Sequence, residues 1–72
     1  MEPVMFDVAV FAAEDNRHLV TYQMAHAFVP QFGDEMFVPP LGTVVVQACK
    51  MDWAAKKAVL MVVPPDQFDL MV

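Results

Sequence analysis

Apolar residues alternate with other residues along most of this chain, at the period of two that is typical of β-strands. The first such segment is Val4–Ala13, in which one face is wholly apolar: Val4, Phe6, Val8, Val10 and Ala12. The opposite face is only partly polar, because Met5, Ala9 and Phe11 interleave with Asp7. A strand that is apolar on both faces is covered on both sides in its final state, by its own core or by a neighbour.

Turn residues divide the rest of the chain into further short strands. Glu14–Arg17 predicts a tight first turn, Gly33-Asp34 a second, and Pro39-Pro40 with Gly42 a third. The predicted strands are Val4–Ala13, His18–Val29, Met36–Val38, Thr43–Lys50 and Lys57–Val63. The tail Asp66–Val72 also alternates, which predicts a final edge strand or a docking segment.

One segment admits two interpretations. A helix from about residue 16 to 28 would have Asp15 as its N-cap and would suit Met24, Ala25 and Ala27. Val20, Thr21 and Tyr22 favour a strand instead, and the strand is the preferred prediction.

These elements predict a single all-β domain over residues 1–72, built as a small antiparallel five-stranded barrel or half-barrel. The order of a long hairpin, a Gly-Asp turn, a short strand and a Val-rich hairpin resembles the layout of SH3-like barrels over Val4–Val63. The resemblance is one of spacing and includes no diagnostic motif. The alternative is an α+β fold with the helix at about 16–28.

The charge balance argues against two classes of partner. Four Lys and Arg face nine Asp and Glu, for a formal net charge of −5. Nucleic-acid backbones and anionic membranes both require clustered cations, and the only close cations, Lys50, Lys56 and Lys57, are interrupted by Asp52. We therefore expect no nucleic-acid and no membrane binding.

Chemistry-bearing residues are few and badly spaced. His18 and His26 lie eight positions apart, which separates them by about 26 Å on a strand and about 12 Å on a helix, too far to share a zinc ion. No spacing ties Cys49 to a base, and Asp34-Glu35 and Asp66/Asp69 fit solvated turns. We expect no catalytic, metal-binding or cofactor-binding residues and no enzymatic activity.

Large apolar side chains in predicted connections are the candidates for contact with a partner. Trp53 lies in a connection, where it serves either as an interface anchor or as a lid over one end of the barrel. The full set of interface candidates is Trp53, Phe32, Phe37, Phe11, Met5 and Met36.

The mismatch between length and hydrophobicity predicts the function class. Of the 72 residues, 58% are hydrophobic, and a chain of this size has too little interior to hide them all. We expect a non-enzymatic structural or assembly subunit acting through protein–protein contacts, as a homo-oligomer or within a larger assembly such as a virus or phage particle. The alternative is a small acidic inhibitor or adaptor that binds a host protein. Without a recognisable secretory signal at Met1–Asp7, the expected location is cytoplasmic or virion-associated.

Overall fold

A computed structural model describes residues 3–71. Five strands, one 3₁₀ turn and one helix follow each other along the chain. They are β1 (Met5–Ala12), β2 (Arg17–Ala25), a 3₁₀ turn (His26–Phe28), β3 (Glu35–Val38), β4 (Gly42–Asp52), β5 (Lys57–Val63) and α1 (Pro65–Met71).

All five strands join one sheet in the order β2-β1-β5-β4-β3, which curls into a half-barrel. The all-β class and the five-stranded half-barrel predicted from the sequence are therefore confirmed. One pairing differs from the antiparallel prediction: β1 and β5 run parallel, so the sheet is mixed. Both strands therefore begin at the same end of the sheet. Between them the chain forms β2, crosses from one edge of the sheet to the other, and then forms β3 and β4.

Residues 17–25 form a strand, not the alternative helix at about 16–28. The strand ends at Ala25, four residues earlier than predicted, and His26–Phe28 turn out of the sheet. Pro30, which has no backbone N–H to donate, follows closely. Phe28 consequently does not continue the apolar row of β2.

The inner face of the half-barrel holds the core. Alternate residues of β1 and β5 are buried there, and Val29 from the β2–β3 connection packs into the same cluster. The fully buried side chains at its centre are Phe6, Val8, Val10, Val38, Val44, Val46 and Leu60. Four of these valines, two on β1 and two on β4, thus contribute as the period of two requires, together with Phe6.

A β-bulge in β4 changes which face its second half presents. The pairing of β4 with β5 shifts between Val46 and Ala48, leaving Gln47 as the extra residue. After the bulge Cys49 packs against the core and Ala48 is exposed. Strict alternation predicted the reverse, with Ala48 on the same face as Val44 and Val46.

The C-terminal tail forms α1, where the alternation predicted an edge strand or docking segment. Pro65 suits the first helical position because its ring fixes φ at a helical value, and Asp66 lies in the first turn, where its charge is favourable. The helix packs on β4. Val45 and Val63 pair across β4 and β5 on the outer face, and both are buried at this end of the sheet.

Candidate interaction surface

The largest exposed apolar side chains are concentrated in residues 28–37, which we call the aromatic segment. It leads from the edge strand β2 to the other edge strand β3. Phe28 is 78% exposed, Phe32 is 63% exposed and Phe37 is 66% exposed. Three phenylalanines in solvent within one short stretch form the kind of apolar concentration that marks contact surfaces.

The segment displays its phenylalanines because its backbone is held in place. Val29 is buried in the core, so its neighbour Phe28 is turned outward. The Gln31 N–H donates to Asp34 Oδ2 at 2.8 Å, and the Asp34 N–H donates back to the Gln31 carbonyl at 2.9 Å. This closed turn presents Phe32 from a fixed position.

Backbone hydrogen bonds then attach the segment to β4. The Gly33 N–H donates to the Val46 carbonyl, and the Val46 N–H donates to the Asp34 carbonyl, both at 2.9 Å. Gly33 has φ +89°, a left-handed conformation that glycine adopts without steric cost. Phe37 follows on the outer face of β3, opposite Thr43.

Helix α1 extends this apolar surface. The rings of Phe32 and Phe68 pack at a centroid distance of 5.4 Å. Leu70, two residues further along the helix, is 86% exposed but lies on a different side of the helix from Phe68. The surface therefore combines the aromatic segment with Phe68 of α1, two parts of the chain that are far apart in sequence.

Trp53 lies in the β4–β5 turn. It caps the end of the half-barrel that is opposite the β3–β4 turn. Its ring meets buried Phe6 edge-on, with centroids 4.9 Å apart, and contacts the His26 ring at 5.2 Å. The side chain is nevertheless 49% exposed. The lid that the sequence offered as one interpretation is formed, and the outer side of the indole remains open to solvent.

The other interface candidates differ in accessibility. Met5 is exposed at the start of β1. Phe11 is half-buried and packs edge-on against His18, with centroids 5.3 Å apart. Met36 is half-buried and packs against the core on the inner face.

Phe28 and Leu70 were not among the candidates identified from the sequence. The prediction placed Phe28 on the apolar face of the strand His18–Val29, together with Val20, Tyr22 and Met24, and placed Leu70 in an alternating tail. The signal that could have separated Phe28 was Pro30, since a proline cannot donate to a sheet ladder and a strand tends to end before it.

The histidines and the cysteine have structural partners. His18 Nε2 lies 2.8 Å from Thr21 Oγ1, and His26 packs on Trp53. Burial raises the pKa of the Cys49 thiol, since desolvation disfavours the thiolate. Within residues 3–71 no group of three or more His, Cys, Asp or Glu side chains is arranged to hold a metal ion.

The surface of the described residues also has two depressions. One, of about 80 Å³, lies at the end of the half-barrel between the β1–β2 turn, Leu41 and the start of α1. The other is a shallow hollow on the outer face above Ala9 and Val59, bordered by Asp7, Thr21 and Lys57. Both are lined mainly by apolar surface, with charged groups at the rim.

Comparison of this chain with protein-family models, with curated proteins and with solved structures finds no match. In the part of the chain that the structure describes, no helix combines the length and the apolar character needed to span a bilayer.

Proposed function

We propose that this chain is a non-enzymatic assembly subunit that self-associates through protein–protein contacts. The observation that carries the proposal is the aromatic segment, with Phe28, Phe32 and Phe37 each more than 60% exposed. The assembly is a homo-oligomer or a larger particle in the cytoplasm or a virion, and a virus or phage particle is one example.

Surface energetics support this use of the aromatic segment. Burying apolar surface stabilises a contact by about 25 cal/mol per Å², and Phe is among the residue types enriched at interfaces. The hydrogen bonds from Gln31, Gly33 and Asp34 hold the backbone before a partner arrives. A pre-ordered surface loses less conformational entropy on association than a mobile one.

The contact surface is separate from the residues that hold the fold. The side chains of Phe28 and Phe37 are mostly in solvent, whereas the fully buried cluster lies on the inner face of the sheet. Polar replacements at Phe28 and Phe37 therefore remove contact area without opening the core.

Sedimentation velocity or light scattering across a concentration series tests the proposal. The wild-type chain has a monomer mass of 8.1 kDa, and we expect larger species to dominate at high micromolar concentration. The double substitution Phe28→Ser with Phe37→Thr should shift this association to at least about tenfold higher concentration, a difference of about 1.4 kcal/mol.

Val59→Thr is the matched control. Val59 is also an exposed apolar residue, but it lies on the outer face of the central strand β5, outside the aromatic segment. The control should associate like the wild type. A wild-type chain that stays monomeric at high micromolar concentration contradicts self-association, and equal loss in both variants contradicts the assignment to the aromatic segment.

A further inference from the structure

The two edges of the sheet are protected to different degrees. The edge at β3 is well protected. This strand has only four residues, Glu35–Val38, and it is preceded by Asp34 and followed by Pro39-Pro40. β2 is nine residues long, and its stretch 19–25 contains neither a charged residue nor a proline. Charges, prolines and short length are the usual means of blocking an edge strand. Only the start of β2 carries such features, namely Arg17, His18 and a bulge at Leu19.

The outer edge of β2 offers free backbone groups. β2 is the terminal strand of the sheet and pairs with β1 alone among the described strands. In residues 3–71, the backbone-to-backbone hydrogen bonds made outside the regular elements do not involve residues 18–25. Since alternate residues of an antiparallel strand point their N–H and C=O groups to opposite sides, about half of these groups face away from β1.

The inner face of β2 is incompletely covered. Val20, Tyr22 and Met24 lie opposite Val10, Val8 and Phe6 of β1. The three β1 residues are buried, but the three β2 residues are only half-buried, although they pack against the core. A further strand beside β2 would continue the sheet and cover the exposed sides of this row.

The stretch 19–25 of β2 is complementary to the same stretch of a second copy related by a two-fold axis. With Tyr22 of one copy opposite Tyr22 of another, Val20 lies opposite Met24 on the inner face. On the outer face Thr21 lies opposite Gln23, and both side chains are exposed. Thr21 already contacts the His18 ring and Gln23 donates to Asp7, but the hydroxyl and the amide each retain capacity for a further hydrogen bond. No charged residue enters the paired stretch 19–25.

The alternative registers are poorer. A shift by one residue places apolar inner-face residues opposite polar outer-face residues. A shift by two, centred on Thr21, moves the bulged Leu19 from the end of the paired stretch to a place opposite Gln23 and adds His18. The opposite shift, centred on Gln23, shortens the paired stretch to residues 21–25, because β2 ends at Ala25. Both the apolar row and the uncharged stretch therefore favour the register centred on Tyr22, and a second copy of this chain supplies the strand that matches it.

We propose that β2 pairs antiparallel with β2 of a second copy, joining two half-barrels into one continuous sheet across a two-fold axis at Tyr22. This inference rests on the proposed self-association and names one contact through which it occurs. Because the aromatic segment begins directly after β2, the paired edges bring the start of each segment close to the two-fold contact.

Opposed charges test the pairing and its register. The double substitution Thr21→Lys with Gln23→Lys places ammonium groups opposite each other twice in the proposed register, on exposed outer-face positions that leave the core intact. Like charges in direct opposition disfavour an interface strongly, so the dissociation constant of the β2 contact should rise at least about tenfold. The corresponding double substitution to Glu should also weaken the contact at least about tenfold, and Gln23→Glu additionally faces Asp7 across β1, so unfolding of this variant is measured alongside.

Mixing the two variants is the decisive measurement. The lysine and glutamate forms should each lose the contact alone and restore it together, because each ammonium then faces a carboxylate. Ala48→Lys with Ala54→Lys is the matched control, since it adds the same charge at exposed positions of β4 and the β4–β5 turn, outside β2 and the aromatic segment. Mass by sedimentation and concentration-dependent protection of β2 amides from hydrogen exchange provide two readouts.

The outcomes separate this inference from the proposed function. Association by the wild type that survives both β2 variants unchanged overturns the β2 pairing and leaves self-association standing. Loss of association in both variants without recovery on mixing overturns the register centred on Tyr22. A wild type that remains monomeric overturns the proposed function and the pairing with it.

Discussion

Exposed aromatic side chains in this protein have two distinct physical roles. Trp53 is half-exposed but packs on Phe6, a fully buried residue, and on the His26 ring. Phe28 is also exposed, yet its backbone neighbour Val29, not Phe28 itself, enters the core. Exposure alone therefore does not identify a contact residue, because the side of the ring facing the protein decides whether the fold depends on it.

Truncating the two aromatic residues should separate these roles. Trp53→Ala removes an edge-to-face contact and uncovers the end of the core, so the free energy of unfolding should fall by about 2 kcal/mol. Phe28→Ala should change it by less than about 0.5 kcal/mol, as for most exposed positions. Urea denaturation followed by circular dichroism measures both. A loss for Trp53→Ala no larger than that for Phe28→Ala would contradict the stabilising role of the Trp53 lid.

At the level of elements, two connections share one backbone geometry with different residues. The turns 13–16 and 53–56 each join neighbouring strands and end on a residue with positive φ, 57° at Asn16 and 55° at Lys56. Asn tolerates this left-handed region because its short polar side chain bonds locally. The Lys56 side chain offsets this conformation only by one exposed hydrogen bond, from Nζ to the Trp53 carbonyl, so the second turn stores backbone strain.

Exchanging the residue types at these turns should move stability in opposite directions. Lys56→Asn should raise the free energy of unfolding by about 0.5–1 kcal/mol, and Asn16→Lys should lower it by a similar amount. The first change removes the hydrogen bond from Lys56 Nζ to the Trp53 carbonyl, an exposed contact of small value. Thermal unfolding of both variants checks the prediction, and parallel shifts in the same direction would contradict it.

The sequence predicts these elements better than it predicts their pairing. Val8, Val10 and Leu60 repeat at the period of their strands, so β1 and β5 and their buried faces follow from local pattern. The parallel pairing of β1 with β5 depends on which strands meet in space, and no local signal carries it. The bulge at Gln47 reverses the faces of Ala48 and Cys49 without a glycine to mark it.

The candidate surface was predictable to a similar extent. Phe32 and Phe37 stand beside a Gly-Asp turn, which already placed them in a connection or on an edge. Phe28 and Leu70 depended on where β2 ended and on α1 replacing a strand, and boundaries of elements are the weakest part of any reading of local pattern. The free edge of β2 depends on sheet order, which is a property of the whole chain.

For the whole molecule, charge and surface hydrophobicity oppose each other. The formal net charge of −5 repels a second copy, whereas the aromatic segment and the free edge of β2 favour one. The stretch 19–25 is uncharged, so the repulsion acts between charges elsewhere on the two molecules. Such exposed charges are screened by salt, with a Debye length of about 10 Å at 0.1 M and about 3 Å at 1 M.

Self-association should therefore strengthen as the salt concentration rises. Between about 0.05 M and 0.5 M sodium chloride we expect the dissociation constant measured by sedimentation to fall several-fold, because screening weakens repulsion while apolar burial persists. Glu14→Gln with Asp69→Asn removes two exposed negative charges and should reduce this salt dependence. The alternative is an acidic inhibitor or adaptor that binds a basic host protein. Its binding to that host protein should weaken as the salt concentration rises, since salt screens the attraction between unlike charges. An association that weakens with salt would show that ion pairs, not apolar contacts, hold the copies together.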